Sequence, residues 1–334
     1  MLLENCVLNV DFTTVAPLTR NQPEEAWVRA RDTGAIPKSL YDLYCNADYL
    51  SFGGGTSYLR DGENVLFSYF AMILRSLLEA LVDAHEQIPL FIEAQGRTYD
   101  LGKKTRGEHW DDTANAEARR YFRDLLIALQ SSLDSFADLV ALFLTGLIPG
   151  LTLGRAQFAR VEAWLQRALP PSGLVLTPYD SQLRRLYDAL KPLVLAGPPE
   201  RDWLPLMRML RNKVAHLGQP VFRQVGLHDE DFRFHAFVPR QWPFIWEKHM
   251  KPHDPNIPVD RTVLPKLFRE ILIHQDIVSY AEGLRQKVLA VTSEGVLVVS
   301  SAYKEFGNFA VNQGALAELQ GNSLAYNFEY FTRS

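Results

Sequence analysis

The chain has 334 residues, with 35 Lys and Arg against 39 Asp and Glu, a formal net charge of -4 and 47% hydrophobic residues. That length carries two domains or one elaborated domain, either able to bury a large core, and the balance excludes a disordered, collagen-like or coiled-coil chain. Without a global positive charge, any contact with nucleic acid must run through local basic patches.

The two cysteines, Cys6 and Cys45, are too few for a disulfide framework or a zinc site of several thiolates, and they fit a reducing compartment. The N-terminus lacks a basic segment followed by a long apolar one, so no signal peptide is expected. The longest uncharged run, between Asp138 and Arg155, has 16 residues and is interrupted by Gly146, Pro149 and Gly150. About 20 apolar residues are needed to cross a bilayer. The expectation is a cytoplasmic protein without a membrane partner, the run being a buried helix end and a loop.

In chain order, residues 1–60 read as an irregular, extended segment, with a strand or arm at Val7–Phe12 and a short helix at Pro23–Arg31. The glycine triplet in Ser51–Ser57 has no following Lys, so it reads as a flexible loop rather than a phosphate loop. A helix is predicted over 65–87, N-capped by Asp61 or Asn64 and stopped by Pro89. Leu66, Tyr69, Phe70, Ile73, Leu77, Leu81 and Ala84 mark its buried face. Residues 95–112, with Gly96, Gly102, Gly107 and several cations, read as a polar connection. A second helix of about 45 Å is predicted over Asn115–Thr145. Two shorter helices follow, at Arg155–Ala168 and Tyr179–Val194.

The next predicted helix starts after Asp202, carries the apolar stripe Trp203, Leu206, Met207, Leu210, Val214 and Leu217, and ends at Gly218. Arg208, Arg211 and Lys213 fall off that stripe. Beyond it, Val221–Leu227 and Phe232–Val238 read as strands of a small β-hairpin. A helix or helix pair is predicted over Val263–Thr292, and a mixed tail over 295–334.

Chemistry concentrates in Arg211-Asn212-Lys213-Val214-Ala215-His216. On a helix, Asn212 and His216 share a face, and Arg211 stands about 140° from His216. Imidazole and guanidinium together suit RNA cleavage. His can take the 2′-OH proton or give one to the leaving 5′-oxygen, and Arg can hold the extra charge of the phosphorane-like transition state. The span Arg201–Arg223 holds five Lys or Arg and one acid, Asp202. Such a cluster would attract phosphates in a salt-dependent way. By spacing alone the signal is weak, since Arg and His five apart recur by chance, and a helix-capping His with a solvated Arg accounts for the motif better.

This Arg-Asn-x-x-x-His motif, late in a helical region of two long and two short helices, resembles the HEPN superfamily (higher eukaryotes and prokaryotes nucleotide-binding) over roughly residues 62–218. The resemblance implies a helical bundle and a homodimer that brings two motifs to one cleft. It also implies metal-independent endoribonuclease activity without a cofactor, and a place in toxin–antitoxin, phage-defence or CRISPR systems, with an antitoxin or regulatory protein as partner. Carried over by residue, Arg211 and His216 form the catalytic pair, and Asn212 orients them or touches a phosphate. Arg208 and Lys213 would face solvent or the cleft and bind RNA, with Arg119, Arg120 and Arg123 extending the patch.

The expected architecture is thus mainly α: an N-terminal segment 1–60, a HEPN-like helical bundle 61–218, and a hairpin with a C-terminal helical extension 219–334. The competing function is a non-catalytic nucleotide-binding or protein-interaction module of the same fold. A third reading, a metal-dependent hydrolase, would use His228, Asp229, Asp231 and His235, or His249, His253 and Asp254; neither set has helical placement or a further ligand cluster. Trp242, Phe244 and Trp246 read as packing residues, with base stacking as the alternative.

Overall fold

The structure, a computed structural model, describes residues 25–52, 63–105, 109, 111–144, 148–167, 178–195, 203–217, 227–228, 234–235, 237–239 and 272–305. These residues are mainly α-helical. The helices are α1 (Glu25–Asp32), α2 (Lys38–Phe52), α3 (Glu63–Lys104), α4 (Asp112–Phe143), α5 (Phe158–Leu165), α6 (Pro178–Val194), α7 (Trp203–Leu217) and α8 (Ile277–Glu305). Two compact units interleave along the chain. One takes Met1–Val82, Ser131–Arg201 and Lys287–Ser334, the other Asp83–Gln130 and Asp202–Gln286. Segments 61–218 and 219–334 are therefore each shared between both units.

In the first unit, α1 ends on Gly34, whose φ of +73° a side chain would strain. The Ala35 N–H donates to the Ala30 carbonyl at 2.8 Å and the Gly34 N–H to the Arg31 carbonyl at 3.1 Å, a pair of hydrogen bonds that closes the helix end. The chain then turns at Pro37 into α2, a helix inside the segment expected to be irregular. Its buried Leu40, Leu43 and Ala47 recur at helical spacing, and the Arg31 guanidinium sits 5.1 Å over the Tyr41 ring, joining α1 to α2. Val7–Phe12 and the glycine triplet lie outside the described residues.

Also in this unit, the connection before α5 is fastened to α4 by two carboxylates four residues apart. Asp138 accepts hydrogen bonds from the Gly154 and Ala156 N–H groups at 2.9 and 3.2 Å, and Asp134 accepts from the Phe158 N–H at 2.9 Å. Asp134 thus supplies the acceptor for the start of α5, since Gln157, the residue preceding it, makes no side-chain cap. The described residues of the run between Asp138 and Arg155 are a helix end up to Leu144 and a loop from Ile148, with Leu139, Val140, Leu142, Leu144, Ile148, Leu151 and Leu153 buried.

Burial raises the Asp138 carboxyl to about 6, opposed by its two backbone hydrogen bonds and reinforced by the nearby Asp134 charge. Its ordinary value is 3.8. Between those values the folded protein keeps a proton that the unfolded chain has released. Asp138's stabilisation is therefore full below the unfolded value and is lost as pH rises through about 6. Asp138→Asn keeps an acceptor for both N–H groups and removes the charge. Urea titrations from pH 4 to 7 should show the wild type losing about 1–2 kcal/mol relative to this variant, the shift being discounted for partial exposure. Parallel profiles would refute the assignment.

Asn64 lies inside α3 instead of capping it, and the part of α3 in the second unit continues through Pro89 to Lys104 rather than stopping there. The Pro89 side is exposed, while the buried stripe runs on through Ile88, Phe91, Gln95 and Thr98. Losing one backbone hydrogen bond at the proline is offset by packing on both sides. The segment taken for a polar connection is thus mostly helix. Asp111 caps α4, accepting from the Ala114 N–H at 2.8 Å, so that the helix starts at Asp112, three residues before the expected start. Phe91 packs on Phe122 with centroids 5.5 Å apart, and Arg97 pairs with Glu117. Contacts that climb α3 while descending α4 make the two helices antiparallel here.

The strand pairings are short. Leu227–His228 (β1) pairs antiparallel with Phe234–His235 (β2), placing Leu227 opposite His235 and His228 opposite Phe234. Phe237–Pro239 (β3) pairs antiparallel with Leu272–Asp276 (β4). The last helix begins later than expected, because 272–276 is a strand and Asp276 caps the helix. Its carboxylate accepts from the Val278 and Ser279 N–H groups at 3.0 and 3.2 Å. It also runs on to Glu305, through the Val296–Val299 segment assigned to the tail.

α4 is long and apolar enough by length and composition to cross a membrane over Asp112–Leu142. Since 72% of its apolar window is buried within the protein, it has the pattern of a core helix.

Candidate functional site

The helix expected around the motif is present as α7, and Arg211, Asn212, Lys213 and His216 all belong to it. Asp202, its expected cap, lies outside the described residues. Trp203, Leu204, Met207 and Leu210 are its buried anchors, and Leu206 is only half-buried. At 100° per residue those four anchors span an arc that contains Arg211. Arg211 therefore lies within the packed arc and is half-buried, not off the stripe as expected. Leu204 causes the difference, because it widens the buried face toward position 211.

The Arg211 Nη1 donates to Asn212 Oδ1 at 3.1 Å, and its buried Nε has no hydrogen-bond partner. Asn212 is exposed. The neighbouring pair thus presents one guanidinium edge already held and an amide open to solvent. His216 follows Asn212 by one helical turn; its side chain and that of Lys213 lie outside the described residues. Arg208 is half-buried rather than fully turned to solvent.

The proposed extension of the patch on α4 is partly neutralised locally. Arg123 pairs with Asp124 at 2.8 Å, and Arg120 lies 4.9 Å over the Tyr121 ring while donating to its hydroxyl. Arg119 is half-buried.

One imidazole escaped the sequence reading. His85 on α3 is half-buried, and burial, with the nearby Arg285 guanidinium adding to it and Glu86 opposing it, holds it below the ordinary histidine range. Burial also lowers Arg285, against the opposing charge of Glu282. A helical stripe carries no signal for that pairing, since the two residues are 200 positions apart.

His228 and His235 lie on paired strands. Asp229, Asp231, His249, His253 and Asp254 are outside the described residues, as are Trp242, Phe244 and Trp246. Among the described residues, no three His, Cys, Asp or Glu side chains come together to hold a metal. No family model, curated protein or solved structure matches the chain.

Proposed function

We propose that the chain is a metal-independent endoribonuclease of HEPN type, working as a cytoplasmic homodimer in a toxin–antitoxin or phage-defence setting. The observation that carries this reading is the placement of Arg211, Asn212 and His216 on the single continuous helix α7, with Arg211 hydrogen-bonded to Asn212.

His216 moves the proton, either from the attacking 2′-OH or onto the leaving 5′-oxygen. Arg211 stabilises the charge that builds on the phosphorus oxygens, and Asn212 fixes its fork. Arg208 and Lys213 hold flanking phosphates. Attack by the 2′-OH forms the new P–O bond, breaks the bond to the 5′-oxygen and leaves a 2′,3′-cyclic phosphate and a 5′-hydroxyl. The decisive assay incubates single-stranded RNA with the protein in excess EDTA and identifies both new ends. Cleavage with those ends supports the reading; its loss in EDTA defeats it.

A single Arg and His do not readily supply base, acid and charge stabilisation at once, whereas a two-fold interface presents the same helix twice. Light scattering at micromolar concentration should therefore give a dimer. An active monomer would rule the shared-cleft arrangement out.

A second reading, a non-catalytic nucleotide-binding or interaction module of the same fold, is favoured by one fact. Arg211 is half-buried and already engaged with Asn212, as a residue with a structural task would be. RNA binding without cleavage would decide for it.

A further inference from the structure

We propose that the solvent face of α5 and α6, in the first unit, is a sequence-independent binding surface for the RNA phosphodiester backbone. This deepens the ribonuclease reading by adding a substrate-holding surface outside the motif, and to that extent it rests on that reading.

Between Ile148 and Leu195 the chain carries Arg155, Arg160, Arg167, Arg184, Arg185 and Lys191 against only Glu162, Asp180 and Asp188, in a protein whose net charge is negative. Of the three acids, Glu162 is buried. On α5 the buried positions are Phe158, Val161, Glu162, Trp164 and Leu165. Opposite them, Arg160 and Ala163 are exposed, as is Arg167 just past the helix end. Arg160 lies in α5 and Arg167 two residues past its end, about two helical turns further along the chain.

Two of these cations are held in place. Gly150 has a φ of +74° and no side chain, and the Arg160 Cδ, Nε and Cζ lie 3.8–3.9 Å from where its Cβ would stand, so the guanidinium group rests over bare backbone. Lys191 Nζ donates to the Tyr187 hydroxyl at 2.7 Å, and that hydroxyl donates to the Arg167 carbonyl at 2.8 Å. Trp164 meets the Tyr187 ring edge-on, with centroids 5.5 Å apart, which stiffens the seam between the helices. Among the described residues, Arg155, Arg160, Arg167 and Lys191 have no carboxylate partner.

Among its described residues, the surface has charge without exposed apolar anchors. The exposed large hydrophobic residues among those described are Met72, Leu90, Ile92 and Ile127, none on α5 or α6. A protein interface relies on buried aromatic or aliphatic anchors, and an interfacial membrane helix needs Trp, Phe or Leu on its inner face. Cations without such anchors match the phosphate contacts that position a nucleic acid without reading its bases.

The test measures binding of the full-length protein to a 20-nucleotide oligouridine RNA across a salt series. It compares the wild type with Arg160→Gln/Arg167→Gln/Lys191→Gln, and uses Arg160→Glu as a single-site check should the triple variant fold poorly. The expected result is a 10- to 100-fold loss of affinity at low salt and a log–log salt slope shallower by about 2, since each single-strand phosphate contact contributes about 0.7. Unchanged affinity and slope in a folded variant overturn the proposal, as does a wild type with no salt-dependent RNA binding. Variants that keep RNA binding but lose binding to phosphatidylserine vesicles or to polyglutamate overturn it in favour of a membrane or an acidic protein. RNA that binds through this face but is not cut defeats the ribonuclease reading alone. RNA that is cut with the same affinity by wild type and triple variant defeats this surface alone.

Discussion

His216→Ala is expected to reduce RNA cleavage at least 10²–10⁴-fold, the usual worth of a positioned general acid or base. Arg211→Ala should cost about 10²–10³-fold, as removal of a donor to a developing oxyanion does. The two variants differ in what else they disturb. Arg211 is half-buried on α7 and bonded to Asn212, so its truncation also removes packing. Arg211→Lys separates the two effects, because the stem and charge remain while the planar fork is lost. Cleavage should fall in Arg211→Lys while the urea midpoint stays near that of the wild type. A His216→Ala protein that cuts RNA at the wild-type rate removes the catalytic assignment. A wild type that binds RNA tightly and never cuts it moves the motif to the non-catalytic module.

The elements legible in the sequence are those whose buried faces repeat large apolar residues. α4 shows Phe122, Leu125, Leu129, Leu133 and Phe136 at three- and four-residue spacing, and all are fully buried. α6 and α7 were equally readable. The unread parts fail for distinct physical reasons. Beyond Phe91 the packed stripe of α3 turns to Ala94, Gln95 and Thr98, which are buried but small or polar. Helical packing there looks, in sequence, like a solvated connection. α2 lies just after Gly34 and Pro37, both of which punctuate the chain and hide the helix that follows. The Asp134 and Asp138 contacts to residues 154–158 span 16 to 24 positions, and no local period encodes them. At the motif, the existence of α7 was readable, whereas the burial of Arg211 was not. It depends on which side of the Trp203–Leu210 stripe the surrounding protein covers.

Gly295 carries the second large expectation, and it explains why the end of α8 was misjudged. Glycine within a helical pattern ordinarily weakens the helix by about 1 kcal/mol relative to alanine, so the sequence favoured a helix ending before it. In the fold, α8 runs straight through this position, and a Cβ added at Gly295 would clash with the Cζ end of the Phe136 ring on α4. That ring is fully buried and backed by Phe158, with centroids 6.0 Å apart at 45°, so it has no solvent side to turn toward. Gly295→Ala should therefore lower stability by about 2 kcal/mol, overpacking outweighing the gain in helix propensity; Gly295→Val should cost more. Phe136→Leu alone leaves a cavity and costs about 1–3 kcal/mol. Joined to Gly295→Ala, it makes room for the new methyl group, so the double variant should be more stable than the sum of the two single losses by about 1 kcal/mol or more. Urea unfolding of the four proteins reads this directly. A Gly295→Ala protein as stable as the wild type, or strictly additive losses, would show that α8 does not approach α4 as closely as described.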